Sequence, residues 1–318
     1  MNTYEIEEKR AELLKKSIVL FVSAAIFSFI GLILYPFLKY IFFGITAFSV
    51  LVGIVLLVRR YKLEAVLKAA EEERANMLAQ AAKEKQALKE QSLKAFESIP
   101  RFNIYMTQEK PKNLALSGIN SLKTTLPRGN NIINYGNFVV IDIETTGIKA
   151  TEKIVEVAAI MYRNFKPVEA FTTLVDPGKP IPPEASFVNH ITDDMVAGKP
   201  EFKQIIRALD EFIGPFNLVG QNIMFDLKFL YRYGYDFTQY KDRRYYDTLD
   251  MAKHKLTKYN SHKAERSSTY YYDVDDYKLE TLCLYYGIEQ INAHRAMGDC
   301  YATAQVYEAM LRQEYDMK

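Results

Sequence analysis

One apolar stretch near the start of the chain restricts its fold more than any other feature. Residues 17–58 read SIVLFVSAAIFSFIGLILYPFLKYIFFGITAFSVLVGIVLLV and contain a single charged residue, Lys39. A membrane-spanning helix needs about 20 apolar residues, and this stretch has roughly twice that length. We therefore predict a transmembrane helical hairpin over residues 17–58, with a turn around Pro36 and Lys39. One long or re-entrant segment is the alternative.

The charges that flank this stretch predict its orientation. Basic side chains stand on both sides of it, at Lys9, Arg10, Lys15, Lys16, Arg59, Arg60 and Lys62. Because positive flanks stay in the cytoplasm, residues 1–16 are predicted to form a cytoplasmic basic N-terminus, and the C-terminus lies on the same side. The stretch is too long for a signal peptide, and no small-residue cleavage site stands out. We expect a multi-pass protein of the plasma (inner) membrane.

Two further regions precede the main domain. Residues 59–96 are rich in Ala, Glu, Lys and Leu and contain no Gly or Pro, which predicts a charged spacer helix. Their apolar residues are irregularly spaced, so an oligomerisation stalk is a second interpretation. Residues 97–135 bring Pro, Gly, Asn and Ser and are interpreted as a basic linker. The chain has two cysteines without metal-ligand spacing, as expected in a reducing compartment.

Residues 136–318 alternate short apolar runs with amphipathic segments. The runs NFVVIDIETT, KIVEVAAIMYRN and EAFTTLVDP predict strands, whereas EFKQIIRALDEFIG, MFDLKFLYRYG, KLETLCLYYG and DCYATAQVYEAMLRQEY predict helices. This order indicates an α/β domain with a mixed central sheet. The region carries 22 Lys and Arg against 27 Asp and Glu, so it would bind nucleic acid through bound metal and local basic patches.

Two carboxylates directly follow an apolar run in the segment FVVIDIETTG. Asp142 and Glu144 are two residues apart in a predicted strand, so both side chains project to the same face. Like charges in a partly dry site repel each other, and a divalent metal ion between them relieves that repulsion. Asp226 near one helix start and the His294–Asp299 pair at another are, taken singly, typical of helix caps or surface residues.

Taken together, these residues resemble the DEDDh exonucleases, the family of the proofreading epsilon subunit of bacterial DNA polymerase III, which has a ribonuclease H-like fold. The three motifs stand here as DIETTG, NIMFD and HRAMGD, the last fitting H-x-A-x-x-D. The resemblance covers about residues 136–314 and none of 1–135. Gln221 stands where many members have His before the Asn of the second motif.

The resemblance implies a set of site residues. Two Mg²⁺ or Mn²⁺ ions would be held by Asp142, which bridges them, and by Glu144, Asp226 and Asp299. Four carboxylates suit such oxygen-preferring ions, and two ions can clamp the attacking and leaving oxygens of a phosphodiester. His294 would take a proton from the attacking water. The terminal nucleotide would contact the chain at Thr145, Thr146, Gly147 and Ile148.

The leading hypothesis is a membrane-tethered, metal-dependent 3′–5′ exonuclease that acts on single-stranded DNA ends. Trimming of RNA or oligoribonucleotides is an alternative, and a catalytically silent nucleic-acid binder is another. A membrane-bound protein partner or a homo-oligomer would give the anchor a purpose. Residues 253–276 combine basic residues with Tyr270, Tyr271 and Tyr272 and either grip a single strand or form a solvated insertion.

Overall fold

A computed structural model of the 318-residue chain describes residues 3–34, 39–108, 112–120, 122–128, 131–259, 270–272 and 274–316. The chain divides into two compact units, Met1–Leu88 and Lys89–Lys318. Its helices are α1 (Thr3–Leu34), α2 (Lys39–Glu97), α3 (Leu116–Asn120), α4 (Pro183–Asn189), α5 (Asp193–Val196), α6 (Phe202–Ile213), α7 (Met224–Arg232), α8 (Thr248–Lys255), α9 (Leu279–Tyr286) and α10 (Ala296–Asp316). Its strands are β1 (Phe138–Thr145), β2 (Ile154–Arg163), β3 (Lys166–Leu174), β4 (Leu218–Gly220), β5 (Tyr245–Asp247), β6 (Thr257–Tyr259) and β7 (Tyr270–Tyr272).

The first unit is an antiparallel pair of helices. The rings of Phe27 and Phe42 lie 6.2 Å apart, and Arg10 forms an ion pair of 3.1 Å with Glu64. Phe27 near the end of α1 meets Phe42 near the start of α2, and Arg10 near the start of α1 meets Glu64 farther along α2, so the two helices run side by side in opposite directions. The predicted turn at Pro36 lies within residues 35–38, which are outside the described residues.

The apolar side chains of these helices are largely exposed. Val19, Phe29 and Phe48 each expose about two thirds of their surface, although a soluble protein rarely shows a large contiguous apolar surface. Both α1 and α2 contain segments that are long and apolar enough to cross a membrane, with mean hydropathies of 2.0 and 2.8. The predicted charged segment after residue 58 continues the same helix, because no Gly or Pro interrupts α2 between there and Glu97.

The second unit is built on a mixed five-stranded sheet with the strand order β3-β2-β1-β4-β5. Strands β1, β2 and β3 form an antiparallel meander, whereas β4 and β5 run parallel to β1. The α/β domain with a mixed sheet is thus confirmed. Strand β5 was not predicted, because its three residues are too few for a periodic pattern.

Alternate residues of β1 face two separate apolar cores. Phe138 and Val140 pack with α8, α9 and α10 on one face, whereas Val139 and Ile141 pack with α6 and α7 on the other. A strand buried on both faces has an almost continuous apolar sequence, as β1 has until Asp142. Asp142 and Glu144 therefore continue the row that faces α10.

Segments before the sheet bond to both of its edges. Phe102 donates its backbone N–H to the Ala170 carbonyl (2.8 Å) on β3, and Thr125 donates to the Tyr245 carbonyl (2.8 Å) on β5. The end of α2 belongs to the same core, because the Phe96 ring packs edge-on against Tyr301 at 5.3 Å. The described residues 98–108 and 122–128, here called the strap, therefore cover strand edges that would otherwise expose unpaired backbone groups.

The insertion predicted at residues 253–276 contains a short hairpin. Strands β6 and β7 pair antiparallel, with Thr257 opposite Tyr272 and Tyr259 opposite Tyr270. Residues 260–269 and 273 lie outside the described residues, as do the side chains of the three tyrosines proposed to stack on bases. The proposed role of this insertion in binding a single strand therefore stays a prediction.

Candidate active site

The end of β1 places two carboxylates beside each other. In the pairing with β2, Asp142 lies opposite Ala158 and Glu144 opposite Glu156, and the register shifts between Glu144 and Thr145. The shift ends the regular ladder directly after the second carboxylate. Irregularities of this kind re-aim side chains next to functional sites.

Asp226 and Asp299 are brought to the same end of β1 by two helices. In the first turn of α7, Asp226 is buried, and its Oδ1 accepts the backbone N–H of Ile143 at 3.0 Å. In the first turn of α10, Asp299 has carboxylate oxygens that can lie within 4.8 Å of those of Asp142 and Glu144. The structure thus brings together carboxylates that are separated by more than 150 residues in the sequence.

Burial raises the pKa of every carboxyl group in the cluster, and neighbouring negative charges add to the effect. Burial, with the carboxylates of Asp226, Asp299 and Glu144 as further causes, raises the pKa of Asp142 well above its usual value. Burial, followed by the charges of Asp299 and Glu156, raises the pKa of Glu144 to about 8. Burial also raises the pKa of Asp299 to about 6 and that of Asp226 well above normal. Without added positive charge, the cluster holds protons at neutral pH.

The donor set fits hard divalent cations. Asp142, Glu144 and Asp299 form a group of oxygen ligands close enough to share an ion, and carboxylate oxygens are what Mg²⁺ and Mn²⁺ prefer. Arg295 lowers the pKa of Glu144 without offsetting its rise, because the guanidinium is engaged by Glu156 through two hydrogen bonds of 2.7 and 3.0 Å. Oxygen ligands with raised pKa values are therefore left for a metal ion.

A tight turn carries the third motif into α10. His294 adopts a left-handed backbone conformation (φ 61°), and its backbone N–H donates to the Asp299 carboxylate. A Cβ at Gly298 would collide with the carbonyl oxygens of Ile291 and Asn292, so glycine is required there. The His294 imidazole is partly exposed, with Nε2 3.4 Å from the Glu280 carboxylate of α9.

The predicted substrate residues line an open cavity beside Glu144. The cavity has a volume of about 660 Å³ and includes Thr145, Thr146, Gly147 and Ile148 together with residues of α4. Ile148 is 86% exposed, so its side chain is free to contact a base. The cavity joins the carboxylate cluster through Glu144 and is wide enough for a nucleotide-sized group.

The loop after β1 is held in place by charged and polar contacts. Thr146 donates its hydroxyl to Glu152 at 2.6 Å, and Lys179 contacts the same carboxylate oxygen at 2.6 Å. Gly147 has φ 153°, in the region that favours glycine. These contacts hold the cavity wall next to Glu144.

Two residues that support the site, Glu156 and Asp247, were not predicted from the sequence. Glu156 is buried in β2 and binds Arg295 and the backbone N–H of Ala296. Asp247 accepts the N–H of Asn222 at 2.8 Å and so fixes the second motif, and burial raises its pKa to about 6. A charged residue inside the apolar run IVEVAAI was the signal for Glu156. No feature of the sequence pointed to Asp247, because strand β5 itself was not recognised.

Comparison with known proteins identifies the domain. Residues 139–307, just over half of the chain, match the Exonuclease family (RNase_T). The chain belongs to this exonuclease family. The prediction of a DEDDh-type 3′–5′ exonuclease is therefore confirmed.

Individual similar proteins each match a little more than half of the chain. The DNA polymerase III subunit epsilon of Treponema pallidum is 32% identical over 55% of this chain and 76% of its own length. A PolC-type DNA polymerase III from Caldanaerobacter subterraneus is 31% identical over 55% of this chain, but the match spans only 12% of that polymerase. A solved structure of E. coli exonuclease I in complex with a dT13 oligonucleotide is 25% identical over 54% of this chain and 40% of its own, with a TM-score of 0.43.

Proposed function

We propose that this exonuclease is tethered to the plasma (inner) membrane and hydrolyses single-stranded DNA from its 3′ end with two bound Mg²⁺ or Mn²⁺ ions. The observation that carries the proposal is the cluster of Asp142, Glu144, Asp226 and Asp299, whose pKa values are all raised by burial. A fold seldom holds four carboxylates at such cost unless they serve a site.

The proposed roles of the chain's own residues follow from their positions. Asp142, Glu144 and Asp299, which offer oxygens within 4.8 Å of one another, would hold one ion, and Asp142 with Asp226 would hold the other, as the resemblance implies. When bound, the ions supply an activated water and stabilise charge on the attacked phosphate. His294, on the turn before Asp299, would remove the proton from the attacking water as general base. Residues 145–148 hold the terminal nucleotide in the cavity beside Glu144.

DNA is the proposed polymer because the similar proteins above are DNA polymerase subunits by name. Trimming of RNA is the alternative substrate choice, since a 2′-hydroxyl contact depends on pocket geometry. The silent-binder alternative is disfavoured because the carboxylates and His294 are all present.

The substrate proposal predicts that degradation starts at the 3′ end and that DNA is degraded faster than RNA. Full-length protein in detergent with Mg²⁺ or Mn²⁺ is given single-stranded DNA and RNA of one sequence, labelled at the 5′ end. We expect a ladder that shortens from the 3′ end, and faster shortening of DNA. Faster shortening of RNA would support the alternative substrate, and intact strands with both metals would support a silent binder.

The membrane anchor rests on length, composition and exposure of the two helices, with basic residues on both flanks of residues 17–58. In this proposal residues 59–96 act as a spacer and residues 136–318 as the enzymatic domain. Both termini lie in the cytoplasm, because both flanks are positive.

A charge placed in the middle of each proposed span tests the anchor. Ile26→Lys combined with Phe48→Lys is expected to prevent stable insertion, because each central Lys costs about 3 kcal/mol. The matched control is Ile18→Lys with Leu57→Lys, near the ends of the apolar stretch, where Lys can reach the interface. Carbonate extraction of cell membranes should retain the wild type and the control but not the central variant. Release of the wild type into the soluble fraction would refute the anchor.

A further inference from the structure

A basic groove lies at the β5 edge of the sheet. It has a volume of about 710 Å³, and four of the residues that line it, Lys123, Arg128, Arg244 and His254, have exposed basic side chains. In the described part of the chain, no ion pair joins Lys123, Arg128 or Arg244 to a carboxylate. The groove therefore presents permanent positive charge to solvent.

Three separate parts of the fold build this groove. The strap pairs with β5 through the bridge of Thr124 with Tyr245, and α8 closes the other side. Asp250 is the acidic residue in the lining, and its Oδ2 accepts the Thr124 hydroxyl at 2.7 Å. The Arg128 backbone N–H donates to the Tyr135 hydroxyl at 2.7 Å, which fixes the end of the strap. The backbone that carries the cations is thus held in place.

The charge of the groove contrasts with that of the surrounding domain. Residues 136–318 have an excess of acidic residues, with 22 Lys and Arg against 27 Asp and Glu, whereas residues 101–135 have five against one. The strap therefore adds positive charge at one edge of a domain that otherwise repels polyanions. A concave surface with guanidinium, ammonium and hydroxyl groups matches a chain of phosphates.

The groove lies away from the reacting end of a substrate. Tyr245, where the strap bridges to β5, begins that strand, whereas Asp247 at its end contacts Asn222 of the second motif. The eight-residue helix α8 runs on from the end of β5 to His254 in the groove and is about 12 Å long. A strand that reaches both places must therefore extend well beyond its terminal nucleotide.

We propose that this groove binds the phosphate backbone of the nucleic-acid substrate several nucleotides from its reacting 3′ end. The inference rests on the proposed function and adds a second contact to it. Lys123 and Arg128 lie outside residues 139–307, the part that matches the Exonuclease family, so this contact is a feature of this chain's strap. The groove holds long substrates on the enzyme while the carboxylate site removes terminal nucleotides.

Charge reversal in the strap tests the groove. In the full-length protein, Lys123→Glu with Arg128→Glu should weaken binding of a 20-nucleotide single strand roughly tenfold and lower the slope of log affinity against log salt by about 1.4, since each lost phosphate contact removes about 0.7. Binding is measured in EDTA by fluorescence anisotropy, so the result does not depend on turnover. The KM for the long strand should rise, whereas hydrolysis of a trinucleotide should be unchanged.

A matched control makes the same change of charge elsewhere. Lys166→Glu with Lys199→Glu alters two exposed lysines outside the groove and should leave the salt slope unchanged. Lys123→Gln with Arg128→Gln should lower the slope by about the same 1.4, because the same two phosphate contacts are lost, but it should weaken binding less than the charge reversal does. Equal slopes of log affinity against log salt for the wild type and the reversal variant would overturn the proposal that the groove binds phosphates. If the wild type degrades none of the substrates but the reversal variant still has a smaller salt slope than the wild type, the proposed catalysis is contradicted and the groove is not.

Discussion

Asp142→Asn is expected to abolish exonuclease turnover and at the same time to stabilise the metal-free protein. Asp142 lies among three other carboxylates, and burial and these neighbours raise its pKa well above normal. An asparagine keeps the shape but removes the charge that is needed to hold a cation. Because metal ions contribute several kcal/mol to such reactions, turnover should fall at least about 10³-fold.

The gain in stability has a defined dependence on pH. The folded-state pKa of Asp142 is raised, so the folded chain binds more protons than the unfolded chain above pH about 4, and stability falls as pH rises. The Asp142→Asn substitution removes this loss, because an amide does not titrate. In EDTA, the melting temperature should rise by about 3 °C at pH 8, which corresponds to about 1 kcal/mol, and by less at pH 5.

Thermal unfolding followed by the near-ultraviolet circular dichroism of the tyrosines measures this effect. Added Mn²⁺ should raise the melting temperature of the wild type and leave that of the Asp142→Asn variant nearly unchanged. Asp194→Asn changes an exposed carboxylate in α5 and serves as the control, with normal activity and an unchanged melting temperature. A variant that is both inactive and less stable in EDTA would show that the cluster is not under electrostatic strain.

The sequence was sufficient to predict the elements that depend on local pattern. The apolar run of β1 and its two-residue period placed Asp142 and Glu144 on one face, as the structure has them. The long apolar and charged segments predicted the helices α1 and α2 in the same way. These features need only neighbours in the chain, so periodicity is enough to detect them.

Features that depend on pairing register could not be predicted. Glu156 supports the site only because β2 pairs with β1 in the register that sets it opposite Glu144, and Arg295 meets it only after α10 has packed on the sheet. The need for Gly298 likewise comes from carbonyl oxygens of the preceding turn. The strap resembled a linker because its bonds to the sheet edges join residues far apart in sequence.

Arg295→Ala is expected to be strongly destabilising, because it leaves Glu156 as a buried and unpaired charge. The Glu156 side chain is 5% exposed and accepts two hydrogen bonds from Arg295, at 2.7 and 3.0 Å. Breaking a buried ion pair on one side costs about 3–5 kcal/mol. The melting temperature of the domain should therefore fall by about 10 °C.

A double variant separates loss of the pair from loss of packing. Glu156→Gln combined with Arg295→Gln leaves no buried charge and should recover most of the lost stability, so the two changes are far from additive. Arg312→Ala, on the same helix, removes an exposed pair with Glu308 and should cost less than about 0.5 kcal/mol. Additive losses in the double variant would mean that the guanidinium acts only through packing.

The ion pair of Glu156 with Arg295 also positions the carboxylate cluster of the active site. Glu156 accepts the backbone N–H of Ala296 at 3.0 Å, so it ties the first residue of α10 to the strand beside Glu144, and Asp299 follows three residues later. Turnover of the double variant should therefore stay below that of the wild type even at a temperature where both are fully folded, and the apparent affinity for Mn²⁺ should fall with it. Full activity with restored stability would limit the pair to a structural role, because α10 would then hold Asp299 in place without it.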